Sequence, residues 1–154
     1  MTEVAIRRVV TTHDKQGHAA VMIDELARGK PAIEKAVVTE IWETSTVPVD
    51  NDDETNYLTG AGKYTTGCAL RYVDFEPGFR SEMHKTPSMD FAIVIDGQMD
   101  MELDNGETVK LKTGDVVVQR GTIHRWINSS DAPCRIAFVM IAWKGGWEEG
   151  KTGM

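Results

Sequence analysis

A chain of 154 residues, 41% hydrophobic and 27% charged, has the length and composition of one compact domain with its own core, which excludes a chain disordered throughout. A formal charge of -7 with no cluster of Lys and Arg speaks against a nucleic-acid partner, because a polyphosphate must be met by grouped cations. Met1 to Arg8 carry no apolar leader, and the longest uncharged apolar run, Ile136 to Trp143, is too short to cross a bilayer, so the expectation is a soluble, cytoplasmic protein that binds a small molecule and no membrane.

In chain order, Ile6 to Thr11 and Ala19 to Ile23 read as short strands around a polar turn, a leading hairpin or pair of arm strands free to extend a partner's sheet in a homodimer. Leu26 to Lys35 contains Gly29 and Pro31, which allow one helical turn at most before a strand at Ala36 to Glu43. The polar, Gly-containing stretch Ser45 to Thr66 is long for a loop in a compact domain and reads as a flap over a site or a segment packed on another subunit. Its acidic run Asp50 to Glu54 lacks the glycine and terminal glutamate of a calcium loop, which leaves solvated charge.

From Gly67 onward the pattern is strand after strand: Ala69 to Phe75, Asp90 to Ile95, Met99 to Leu103, Val109 to Leu111, Asp115 to Gln119, Ile123 to Asn128 and Cys134 to Trp143. Asn105-Gly106, between two alternating runs, predicts a hairpin tip. Many short strands with turns between them indicate an all-β sandwich or barrel. The arrangement is one domain over 1–154, with arm strands in 1–35, a barrel in 36–143 and a tail in 144–154. Cys68 and Cys134, both within apolar runs, match neither a zinc motif nor a disulfide framework and are expected to be buried packing residues.

Two stretches carry the chemistry. Gly78 to Gly97 holds Gly78, five residues, His84, one residue, Thr86, three residues, Asp90, six residues, Gly97; Gly114 to Asn128 holds Gly121, then His124 three residues later and Asn128 four after that. The ordered pair resembles the two motifs of the cupins, and the chain is identified as a small single-domain member with a double-stranded β-helix, or jelly-roll, barrel. Thr86 stands where that family has a second histidine, Asp90 where it has a glutamate, and Gln119-Arg120-Gly121 lacks the usual proline.

The resemblance implies that His84, Asp90 and His124 face the barrel interior and act as metal ligands and catalytic residues. Two imidazoles and a carboxylate suit iron(II), manganese, nickel or zinc, with open positions for water or substrate. Such a metal can polarise a carbonyl or hydroxyl, acidify water or bind dioxygen. The leading reading is a metal-dependent enzyme acting on a small organic molecule, with an aromatic or polyketide-like substrate in view and oxygenase, lyase and isomerase chemistry all open. The alternative is a metal-free barrel that binds a small ligand without catalysis, which the loss of the second histidine to Thr86 favours.

Thr86, Trp126, Arg71 and Tyr72 are candidate pocket residues. Trp126 shares a strand face with His124 and either stacks on a substrate or fills the barrel. Arg71 and Tyr72 are neighbours on one strand, so at most one lines the cavity. Glu82 is a weak substitute ligand opposed by the motif register, and His13 and His18 belong to the polar leading turn.

Overall fold

The computed structural model describes residues 3–53 and 66–144. Eleven strands run in order: β1 (Ala5–His13), β2 (Ala19–Arg28), β3 (Lys30–Ile33), β4 (Ala36–Thr44), β5 (Cys68–Phe75), β6 (Ser88–Asp96), β7 (Gln98–Leu103), β8 (Thr108–Lys112), β9 (Val116–Arg120), β10 (His124–Ile127) and β11 (Cys134–Ala142). No helix of the described residues is long and apolar enough to cross a membrane. The flap reading of Ser45 to Thr66 falls in large part, and the tail almost wholly, outside the described residues.

The fold is the double-stranded β-helix of two facing sheets. One is six-stranded in the order β3-β4-β5-β11-β6-β9, the other three-stranded in the order β10-β7-β8. Alternation builds the space between them. β6 and β11 turn Asp90, Ala92, Val94, Ile136, Phe138 and Met140 inward, while Met89, Phe91, Ile93 and Val139 form the outer face. The core joins Val94, Ile136 and Cys134 of the large sheet to Met99, Met101 and Trp126 of the small one. Asn105-Gly106 lies at the β7–β8 tip, as its spacing predicts.

Two expectations change. No helical turn lies between Leu26 and Lys35: β2 continues to Arg28, and Lys30–Ile33 form β3. Pro31 is accommodated because β3 is the outermost strand of its sheet, where a missing N–H breaks no second ladder. Cys134 is fully buried, with its thiol pushed up to about 11 by burial, but Cys68 is only half-buried and lies 3.2 Å from the Thr44 hydroxyl. The leading strands β1 and β2 pair with each other as a separate hairpin. Buried Arg8 ties that hairpin to its own chain by donating to the Ile41 carbonyl of β4 (3.0 Å), and it pairs with Glu25 across the hairpin.

Candidate functional site

Between the sheets lies a cavity of about 250 Å³. β5 supplies Arg71, Val73 and Phe75; β6 and β11 supply Asp90, Phe138 and Met140; β10 supplies His124 and Trp126; Ala32 and Ile33 of β3 close one side. The segment before β6 brings in Phe79, Ser81, His84 and Thr86. Aromatic rings make one wall: Phe75 and Phe79 have centroids 4.7 Å apart, and Trp126 meets Phe138 edge-on at 5.7 Å.

His84 and His124 face each other across an isolated antiparallel bridge, with backbone N–H to carbonyl contacts of 2.9 Å in both directions and ring centroids 4.5 Å apart. Each ring is anchored alike. His84 Nδ1 lies 2.8 Å from the Glu82 carbonyl oxygen, and His124 Nδ1 lies 2.8 Å from that of Thr122. A carbonyl only accepts, so each Nδ1 carries a hydrogen, and in the neutral ring it is Nε2 that holds the lone pair. His124 is buried, which pushes its pKa down to about 4; the neighbouring His84 lowers it further, against the hydrogen bond to Thr122. It is therefore neutral at neutral pH. The exposed Glu82 contributes its backbone carbonyl.

Asp90 is held differently. Ser88 Oγ lies 2.6 Å from Asp90 Oδ1 and 2.8 Å from Thr86 Oγ1, and Thr86 Oγ1 lies 3.3 Å from Asp90 Oδ2. All three residues are buried, so they form a closed hydroxyl–carboxyl ring. Burial raises the Asp90 pKa, opposed by the Ser88 and Thr86 hydroxyls and by nearby Arg71 and His84.

This arrangement decides how well the residues fit a metal. The two anchored imidazoles suit one, since a metal-binding histidine is normally oriented through its other nitrogen. The full set does not fit. Among the described residues no group of three or more His, Cys, Asp or Glu side chains is gathered to hold an ion, and the third expected ligand, Asp90, is hydrogen-bonded by Ser88 and Thr86. Asp90 shares the cavity with the imidazoles without completing a ligand shell.

Of the other sequence candidates, Thr86 and Trp126 line the cavity. Arg71 also lines it, its Nε 3.5 Å from Glu40 Oε2, and burial raises the Glu40 pKa against the pull of Arg71. Tyr72 is corrected: it follows Arg71 on β5 and so takes the opposite face of the sheet, outside the cavity lining. His13 and His18 are exposed on the leading hairpin, far along the chain from the site. Sequence reading missed Ser88, Ser81 and the β3 wall. The signal for Ser88 was its position two residues before Asp90 on one strand, which puts both on one face.

A family model described as "Cupin domain" matches residues 71–141. The "Cupin-domain-containing oxidoreductase fogC" of Aspergillus ruber is 31% identical over 154 residues, covering 94% of this chain and 76% of that protein. "Phomopsin biosynthesis cluster protein C'" of Diaporthe leptostromiformis is 41% identical over 109 residues, covering 65% of this chain; the match spans only 58% of that protein's length. Among solved structures, the polyketide cyclase RemF from Streptomyces resistomycificus superposes with a TM-score of 0.55 at 16% identity, covering 74% of this chain and 72% of that one, a likeness of fold.

Proposed function

Since this chain belongs to the cupin family, we propose that it is a cupin enzyme that acts on a small, largely apolar organic molecule by proton transfer at the His84–His124 pair. The observation that carries the reading is the pairing of two imidazoles, each anchored through Nδ1, against an aromatic-walled cavity.

The two histidines divide the work. A general base acts best with a pKa near the working pH, and His124 at about 4 lies too low. It serves as a fixed neutral acceptor that orients the substrate. Half-buried His84 is the base, with access to water for passing the proton on. The proton leaves an acidic O–H or C–H bond for His84 Nε2 and the electron pair stays on the substrate. Return of the proton at another atom gives an isomer, and when the pair instead forms a double bond to the neighbouring atom, a leaving group there departs with the electrons of its own bond, giving an elimination. The surrounding apolar groups exclude water and strengthen each polar contact.

Solvent exchange tests this reading. Enolisable aryl ketones that carry a hydroxyl beside the acidic carbon, so that an O–H meets the histidine acceptors, should gain deuterium at that carbon when incubated with the protein in D2O, read by proton NMR. His84→Ala should slow the exchange by about a hundredfold or more, the usual range for loss of a general base. His124→Ala should act mainly by raising KM. Exchange that is indifferent to both substitutions would overturn the reading. A second reading, a divalent ion held by His84, His124 and a reoriented Asp90, is favoured by the anchored Nδ1 atoms and requires Asp90 to leave Ser88 and Thr86.

A further inference from the structure

We infer that the polar end of the cavity recognises a hydroxyl hydrogen, and that the substrate is a small phenol or enol whose O–H is shared between Nε2 of His84 and Nε2 of His124. This rests on the reading of the cavity as a small-molecule site and adds the class of molecule.

The argument is a count of donors and acceptors. Because both Nδ1 atoms face backbone carbonyls, both Nε2 atoms are lone-pair acceptors, and the rings stand 4.5 Å apart. Two acceptors beside each other call for a donor from the ligand. Thr86 and Ser88 cannot supply it. Each hydroxyl has one hydrogen: with the carboxyl ionised both go to its two oxygens and the Thr86–Ser88 contact carries none, and with the carboxyl protonated three hydrogens fill the three contacts. Arg71, the cationic group on the cavity wall, directs its charge toward two carboxyls, Glu40 and Asp90.

Shape and polarity narrow the donor. An ammonium would bring three hydrogens and a charge, while the two anchored imidazoles present one ring nitrogen each and the Asp90 carboxyl is already met by Ser88 and Thr86. A hydroxyl on a flat ring brings one hydrogen and an apolar body that meets Phe75, Phe138 and Trp126 at their edges and faces. A volume of about 250 Å³ lies below the usual range for drug-sized ligands, about 300 to 1,000 Å³, so the body is one or two rings.

The test uses a matched series on chelator-treated protein: 4-ethylphenol, its methyl ether 4-ethylanisole, and 4-ethylbenzaldehyde, which carries an acceptor and no hydroxyl, each titrated by calorimetry. The phenol should bind at least about tenfold more tightly than either analogue, because each analogue leaves buried acceptors without a hydrogen. His124→Phe should remove that preference while keeping affinity for the ether. Equal affinities across the wild-type series, or preference for the aldehyde, would overturn the inference and leave the small-molecule reading intact. A phenol preference that appears only after a divalent ion is restored would also overturn it, in favour of a metal-bound oxygen. No binding by any member would count against the cavity as a small-molecule site, and so against the broader reading as well.

Discussion

His124 is buried as a neutral imidazole with its pKa pushed down to about 4, whereas the same side chain in the unfolded chain titrates near 6.5. Between those values the unfolded chain takes up a proton that the folded chain declines. Stability from this residue is therefore complete above pH 6.5 and falls as the pH drops toward 4, by about 3 kcal/mol across the window. Asp90, whose pKa is raised, works in the opposite sense, its contribution being lost as the pH rises through its folded value. Denaturant unfolding at several pH values between 7 and 4.5 should show a stability difference between wild type and His124→Phe that shrinks as the pH falls. Parallel pH profiles for the two proteins would mean that His124 is not buried neutral. The positions of His84 and His124 were legible because motif spacing fixes a place along the chain. The behaviour of Asp90 was not, because it depends on Ser88 and Thr86, whose hydroxyls gain meaning only when three side chains close a ring.

Strand order and turns were largely legible from alternation and from glycines that a tight backbone demands. Gly97, between β6 and β7, has φ +93°, and a Cβ there would lie 2.6 Å from the Pro133 carbonyl oxygen and 2.9 Å from Cys134 Cα. Gly106, at the β7–β8 tip, has φ +88° with nothing within 4 Å of such a Cβ. Gly106→Ala should cost about 1 kcal/mol, the backbone penalty alone, and Gly97→Ala clearly more, because rigid backbone must also move. Thermal melts of the two variants check this, and equal losses would contradict the close approach at Gly97. β3 was not legible. Gly29 and Pro31 read as breaks, and only its place at the sheet edge, next to β4, makes Pro31 acceptable and brings Ala32 and Ile33 to the cavity. Phe75, Phe79 and Phe138 were equally hidden, since in sequence a cavity aromatic looks the same as a core aromatic.

Two sheets joined by one core create a cavity lined by polar and aromatic groups, and each sheet supplies part of both. The large sheet brings Asp90 and the Phe75–Phe138 wall, the small sheet brings His124 and Trp126, and the bridge between His84 and His124 ties the segment before β6 to β10. Sequence reading reached this architecture through the paired motifs and expected three ligands at their meeting point. The structure gives two anchored imidazoles and a carboxyl hydrogen-bonded to Ser88 and Thr86. Whether the imidazoles act as bare acceptors or as ligands is decided by following deuterium exchange of a hydroxyl-bearing aryl ketone with one preparation, first stripped with a chelator and then reloaded in turn with iron(II), manganese, nickel and zinc. The expected result is full exchange in the stripped protein, unchanged or slowed on reloading as an ion covers the two Nε2 atoms. Exchange that is absent after stripping and returns with one of the ions would contradict it.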